Sequence, residues 1–136
     1  MPGHQPGVAG ELARSREGMT RLTPEQPRDA VADGVLLIDT RTERQRREQG
    51  ELTGAIVIDR TILEWRLDPS SPTRIEEVTR ADVQIIVVCA QGFSSSLAAA
   101  SLRRIGLPHA TDMIGGFEAW RAAGLPVGTA PGDVRT

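Results

Sequence analysis

The most informative stretch of the sequence is Ile85-Ile-Val-Val-Cys-Ala-Gln-Gly-Phe-Ser-Ser-Ser-Leu-Ala-Ala99. Its first four residues are apolar, β-branched and not alternating, which is typical of a strand buried on both faces of a parallel sheet. A short loop then turns at Gly92, where glycine permits a sharp bend or a positive φ. The serines that follow are suited to the N-terminus of a helix. This order of strand, tight loop and helix predicts an α/β fold.

Outward from this stretch, predicted strands and helices alternate along the chain. Apolar runs at 35–38 and 55–58 predict two more buried strands, and 111–114 predicts a weaker fourth. Helices are predicted to begin near Thr23-Pro24-Glu25 and to cover 42–49, 62–67, 95–105 and 117–123. The alternation implies right-handed crossovers and an open parallel sheet of about four to five strands with helices on both faces.

The length of 136 residues is enough for one domain. Residues 1–18 mix glycine, proline and charged residues without sustained periodicity, so a flexible N-terminal tail is predicted there. The predicted domain covers 19–128, and a short polar tail over 129–136 follows it.

Composition excludes several classes of function. The net charge of −2 gives no basic footprint for nucleic acid, and all 16 basic residues are arginine. Without lysine, neither a Schiff-base enzyme nor a Walker-type phosphate loop can be built. Two histidines and one cysteine are too few for a histidine-rich metal site or a thiolate zinc cage, so no metal or cofactor is expected. With no apolar run long enough to span a membrane and no signal peptide, we expect a soluble, cytoplasmic domain that contacts neither nucleic acid nor membrane.

Cys89 is the candidate nucleophile. Ligands of open α/β sheets bind beyond the carboxyl ends of the strands, and Cys89 ends a predicted strand there. Successive N–H groups of the following loop, backed by a helix N-terminus, can stabilise a thiolate and lower the pKa of the thiol. Ser94 and Ser95 add hydroxyl donors. The competing interpretation is that a lone cysteine at a strand end is simply a small buried apolar residue.

Four segments in this order resemble a single-domain rhodanese. They are Asp39-Thr-Arg41 after a strand, Gly50-Glu-Leu-Thr-Gly-Ala55, the loop Cys89-Ala-Gln-Gly-Phe-Ser-Ser95, and Gly115-Gly-Phe-Glu-Ala-Trp120. The resemblance covers about residues 21–127. It implies a rhodanese-like parallel sheet flanked by helices and a sulfurtransferase in which the loop cysteine carries a sulfane sulfur as a persulfide.

Carried over by position, the resemblance makes Cys89 the sulfur carrier. The implied substrate cradle is the rest of the loop: Ala90, Gln91, Gly92, Phe93, Ser94 and Ser95. The implied reaction moves sulfur from thiosulfate or a persulfide, on a small molecule or a protein, to a thiophilic acceptor. Ser94 stands where the family often has arginine, so the loop has no cation of its own and weak use of thiosulfate is expected. The family's common Gly-His-Ile-Pro-Gly-Ala is replaced here by the segment 50–55, away from the nucleophile.

Four further residues are candidates for supporting roles. Asp39 and Arg41 either line the same rim as Cys89 or form a structural ion pair between a strand end and the next helix. Trp65, with its neighbour Arg66, either overhangs the loop or belongs to the core.

Two other kinds of function are weighed against sulfur transfer. A phosphatase or arsenate reductase uses a C-x5-R loop, but Ser95 occupies the arginine position, six residues after Cys89. A non-catalytic rhodanese-like module that binds or regulates a partner stays open because of Ser94. A protease-like cysteine–histidine pair is excluded, since His109 precedes its strand and lies roughly 16 Å from the carboxyl edge.

Overall fold

The computed structural model describes residues 5–30 and 33–136, in which helices and strands alternate. The helices are α1 (Gly7–Arg16), α2 (Glu25–Ala30), α3 (Glu43–Gln49), α4 (Leu63–Leu67), α5 (Ser94–Arg104) and α6 (Gly116–Ala122), with a 3-10 turn at Arg60–Ile62. The strands are β1 (Leu36–Asp39), β2 (Glu51–Leu52), β3 (Ile56–Val57), β4 (Ile85–Val88), β5 (Ala110–Asp112), β6 (Val127–Gly128) and β7 (Asp133–Val134). The strand predicted at 85–88 is confirmed without change, and the other predicted segments shift by one or two residues at their ends.

Five strands form one parallel sheet in the order β5-β4-β1-β3-β7. β4 pairs with β1 along its whole length and with β5 on its other side. The predicted open parallel sheet is therefore confirmed. β2 and β6 form a separate antiparallel pair.

The core lies on both faces of this sheet because successive side chains of a strand point in opposite directions. Ile85 and Val87 of β4 join a cluster that includes the apolar faces of α4 and α5. Ile86 and Val88 join a second cluster with α6, whose Phe117 and Trp120 are almost fully buried. The helices therefore cover both faces, as predicted.

The structure differs from the sequence prediction at both ends of the chain. Within the predicted N-terminal tail, residues 1–4 lie outside the described residues and α1 forms a helix that packs on α5. Gly10 and Ser15 are its buried residues, so the helix carries no apolar stripe that a sequence pattern could reveal. At the other end, β7 lies within the predicted polar tail and extends the sheet beside β3.

Local signals explain the helices that position the site. α3 begins with a capping box, in which Thr42 accepts from the N–H of Gln45 and the Gln45 side chain accepts from the N–H of Thr42. Ile105, the last residue of the helix predicted over 95–105, follows the last helical residue of α5 and is 44 % exposed. No helix in the described part of the chain has the length and apolar character of a membrane span.

Candidate active site

Cys89 directly follows β4 at the carboxyl edge of the sheet, and it is buried. The loop 90–93 leads from it into α5. Asp39, the last residue of β1, lies opposite Val88 in the parallel register. The segment Asp39-Thr-Arg41 and the Cys89 loop therefore share one edge, as the order of the strands predicts.

Two backbone N–H groups point at the sulfur of Cys89. The N–H of Gly92 lies 3.1 Å from Sγ, and the N–H of Ser95, in the first turn of α5, lies 3.4 Å away. Burial raises the pKa of the Cys89 thiol, but hydrogen bonds from the hydroxyls of Ser95 and Ser94 and from these two N–H groups outweigh it. The net pKa lies below the ordinary value, because hydrogen bonds to the charged form favour the thiolate.

Ser95 has a second partner that limits its role. Its Oγ lies 2.8 Å from Asp112 Oδ2, and Ser96 Oγ lies 2.7 Å from the same oxygen. A hydroxyl has one proton, so Ser95 donates to the sulfur only when that proton turns away from Asp112. The two backbone N–H groups are thus the permanent donors to Cys89.

The N-terminus of α6 packs against the Cys89 loop and bonds to its backbone. The N–H of Phe117 donates to the Cys89 carbonyl at 2.8 Å, and the N–H of Glu118 donates to the Ala90 carbonyl at 3.0 Å. Gly92 has a φ of +85°, and a Cβ there would lie 2.7 Å from the Gly115 nitrogen. A Cβ on Gly116 would lie 2.5 Å from the Cys89 carbonyl oxygen. The paired glycines before Phe117 therefore allow backbone to pack directly on backbone.

Asp39 and Arg41 form a buried ion pair in which the two charges compensate each other. Arg41 donates to both carboxylate oxygens of Asp39, with the shortest distance 2.8 Å from Nη2, and to Gln49 and the Gly50 carbonyl. Its guanidinium also lies 3.7 Å from the centroid of the Phe117 ring. The pair therefore forms the structural ion pair considered from the sequence, and Arg41 also lies at the rim shared with Cys89.

A shallow pocket of about 360 Å³ opens over Cys89. Its lining residues are Thr40, Arg41, Thr42, Gln45, Cys89, Ala90, Gln91, Phe93 and Ser94. Phe93 is 57 % exposed at the mouth, and Gln91 and Ser94 are also exposed. Among these lining residues the only cation is Arg41, whose charge is already paired with Asp39.

Sequence reasoning missed three charged residues behind the loop. Asp112 is fully buried in β5 and accepts two hydrogen bonds from Arg21, at 2.7 and 3.2 Å. Arg21 and Arg16 both reach the carbonyl of Gly92. A carboxylate inside a predicted buried strand was the available signal for Asp112, because such a group needs a partner. No pattern distinguishes the two arginines from the other fourteen in the sequence.

Trp65 and Arg66 do not reach the Cys89 pocket. Trp65 is 60 % exposed and borders a different surface depression, with Ile105 and residues of α4. Both positions considered for it from the sequence, the core and an overhang above the loop, are therefore wrong. Arg66 directs its guanidinium to the Thr73 carbonyl.

His109 immediately precedes β5 and borders a depression at the amino edge of the sheet. Cys89 lies at the carboxyl edge of the neighbouring parallel strand, so the two side chains are at opposite ends of the sheet. The described residues contain no group of three or more His, Cys, Asp or Glu side chains arranged to hold a metal ion.

The chain is similar in sequence to known sulfurtransferases. A family model described as the rhodanese-like domain matches residues 23–123. A thiosulfate sulfurtransferase GlpE of Actinobacillus succinogenes is 32 % identical over 114 residues, which cover 83 % of this chain and 94 % of that protein. The GlpE of Pseudomonas entomophila is 34 % identical over 113 residues, with coverages of 83 % and 94 %.

A solved structure with a similar fold comes from Rhodopseudomonas palustris. It belongs to a protein of unknown function described as a possible tyrosine phosphatase, with 30 % identity, a TM-score of 0.80, and coverage of 93 % of this chain and 98 % of that one. The similarity to GlpE proteins supports a sulfurtransferase at the level of the family. Together with the family match and the parallel sheet, these findings show that the chain belongs to the rhodanese-like domain family.

Proposed function

We propose that the protein is a rhodanese-type sulfurtransferase that carries a sulfane sulfur on Cys89. The observation that supports this most directly is the pair of N–H groups aimed at Sγ from Gly92 and Ser95. A buried cysteine that served only as packing would need no such donors, whereas a thiolate nucleophile and a persulfide anion both do.

The proposed reaction has two displacements. The Cys89 thiolate attacks the sulfane sulfur of the donor, a new S–S bond forms, and the donor's S–S bond breaks. The leaving group, sulfite from thiosulfate or a thiolate from a persulfide, takes the bonding electron pair. A thiophilic acceptor such as cyanide or a thiolate then attacks the terminal sulfur, and Cys89 leaves as the thiolate. The protein ends each cycle unchanged in oxidation state.

The pocket favours a persulfide donor over thiosulfate. Thiosulfate is a dianion, and the loop offers it backbone N–H groups and hydroxyls but no free guanidinium. A persulfide carries less charge and needs less compensation. The exposed ring of Phe93 at the mouth also suits a donor attached to a larger molecule, for example a cysteine persulfide on another protein.

A phosphatase is the second candidate, because the similar Rhodopseudomonas palustris protein is described as a possible one. Phosphate-ester chemistry on cysteine uses the arginine of the C-x5-R loop, which binds the phosphoryl oxygens in a bidentate manner. Ser95 occupies that position and is fully buried with its hydroxyl on Asp112. Turnover of an aryl phosphate above that of Cys89→Ser would favour this candidate over sulfur transfer.

The deciding experiment is intact-mass spectrometry of the full chain after incubation with thiosulfate and, separately, with a low-molecular-weight persulfide. We expect an adduct with the mass of one sulfur atom on the wild type, lost on addition of cyanide. Cys89→Ser should show no adduct and no sulfur transfer, because the chain has no other cysteine.

The matched control is the melting temperature of Cys89→Ser, which should stay near that of the wild type since the substitution removes no large side chain. Sulfur transfer by folded Cys89→Ser would refute the proposal. A folded wild type that never forms the adduct would favour the non-catalytic binding module.

A further inference from the structure

The carbonyl of Gly92 accepts hydrogen bonds from two guanidinium groups. Arg16 Nη2 lies 2.9 Å from this oxygen and Arg21 Nη2 lies 3.0 Å from it. Arg16 also donates through Nε to Ser96 Oγ at 2.9 Å. Both arginines precede residue 23, where the match to the family model begins.

Each arginine is held in place by its own part of the fold. Arg21 is paired with the buried Asp112, and the backbone beside it joins the sheet through Leu22, which bonds to Asp112 and Ile114. Arg16 is the last residue of α1, and α1 packs along α5. The N-terminal segment thus approaches the loop from behind, opposite to the pocket residues of α3 and of the segment between β1 and α3.

Two like charges on one carbonyl oxygen repel each other, so negative charge close by stabilises this arrangement. Asp112 supplies one negative charge against two positive ones. Burial and the Arg21 cation lower the pKa of Arg16, whereas Asp112 and Cys89 raise it. A thiolate or persulfide at Cys89 would balance the remaining charge. Asp39 is not available to balance it, because its charge is paired with that of Arg41.

We infer that Arg16 and Arg21 are positioning residues for the Cys89 loop, holding Gly92 from behind and favouring a negative charge on the sulfur. Gly92 links these guanidinium groups to Sγ, since its N–H donates to the sulfur and its carbonyl accepts from the arginines. The cation that the loop lacks at Ser94 is thereby replaced, in part, by two cations behind it. This inference rests on the proposed function for its biological meaning, but its test needs no sulfur donor.

The test is the rate of Cys89 alkylation by iodoacetamide, a neutral reagent that reports the thiolate, measured across pH on the full chain. Arg16→Gln should slow alkylation by about three- to tenfold below neutral pH and move the profile to higher pH, because a nearby cation favours the thiolate. The matched control is Arg14→Gln, which makes the same charge change on the same helix. The Arg14 side chain is exposed and bonds to Glu11, away from Gly92, so its profile should equal that of the wild type.

Arg16→Lys should give an intermediate rate, since an ammonium keeps the charge but lacks the planar fork that reaches both acceptors. A folded Arg16→Gln with the same profile as Arg14→Gln would overturn the inference. If Arg16→Gln does not fold, the alkylation rate of Arg16→Lys is compared with that of Arg14→Lys. A slower rate for Arg16→Lys supports the positioning role of Arg16, and equal rates overturn it. A wild type that alkylates as expected but forms no persulfide would contradict the proposed function and leave this result standing.

Discussion

The sulfur of Cys89 is both buried and hydrogen bonded, and these two conditions act on its pKa in opposite directions. Burial alone would keep the thiol protonated and inert. Hydrogen bonds from the hydroxyls of Ser95 and Ser94 and from the N–H groups of Ser95 and Gly92 reverse that balance. The loop conformation that provides them has a positive φ at position 92, which glycine adopts easily. Reactivity at this residue is thus a property of the surrounding loop.

We expect the alkylation midpoint of folded wild-type protein to lie below the value of about 8.5 for an ordinary thiol. The same protein unfolded in urea is the matched reference, because its one cysteine is then free of the loop. Equal midpoints in the folded and unfolded chains would contradict the lowered pKa.

The same shift links pH to stability. A thiol whose pKa is lower in the folded state stabilises the fold fully above its unfolded pKa, and this contribution disappears as pH falls through the folded pKa. The free energy of unfolding of the wild type relative to Cys89→Ser should therefore rise with pH in that window. Urea titrations under reducing conditions at several pH values measure the difference.

Ser94 sets the charge at the front of the loop. Its side chain is exposed and borders the pocket, so Ser94→Arg should place a guanidinium beside an incoming anion. We expect kcat/KM for thiosulfate to rise by about tenfold at low salt, from one charge-assisted contact. Ser70→Arg, an equal charge change at another exposed serine outside the pocket lining, is the control. If kcat/KM of Ser94→Arg for thiosulfate does not exceed that of Ser70→Arg, the arginines behind the loop already supply the positive charge that the anion needs.

At the scale of elements, the first turn of α6 acts as a cover on the Cys89 loop. Its N–H groups donate to the carbonyls of Cys89 and Ala90 and so fix the loop backbone beside the sulfur-bearing residue. The resemblance to rhodaneses includes this glycine-glycine-phenylalanine segment but gives no physical reason for it. The structure supplies one, since a Cβ at Gly116 would collide with the loop backbone.

This contact predicts a difference between two glycines with similar backbone conformation. Gly116 and Gly124 have φ of +64° and +75°, but only Gly116 faces other atoms within 4 Å. Gly124→Ala should cost about 1 kcal/mol from its left-handed conformation and leave Cys89 alkylation unchanged. Gly116→Ala should cost more and also slow alkylation, because the loop must move. Urea unfolding and Cys89 alkylation rates test both variants. Equal losses of stability and equal alkylation rates for Gly116→Ala and Gly124→Ala would argue against a role of α6 in holding the loop.

At the scale of the whole molecule, the two chain ends complete structures that the interior of the sequence begins. The N-terminal segment brings Arg16 and Arg21 to the loop. The C-terminal segment adds β7 to the sheet, and Arg135 pairs with Glu77 at 2.7 Å. This pairing lowers the pKa of the Glu77 carboxyl.

The interior of the fold could be predicted because its signals are local. The apolar run of β4 and the cap at Thr42 identify their elements without reference to the rest of the chain. α1 and β7 could not be predicted, since α1 buries small residues and both residues of β7 are exposed. Cys89 and its loop were predictable from position and resemblance. Arg16 was not, because its role depends on the packing of α1 against α5.

The chain ends cover parts of two strands: Leu22 bridges to Met113 just beyond β5, and β7 pairs with β3 and forms the outer strand on that side of the sheet. A fragment trimmed to the family match at 23–123 would lose both covers. The unpaired N–H and C=O groups of β3 and β5 would then be available to strands of other molecules, which is a common route to aggregation. Poor solubility of such a fragment would therefore reflect missing edge protection together with the loss of Leu125 from the core.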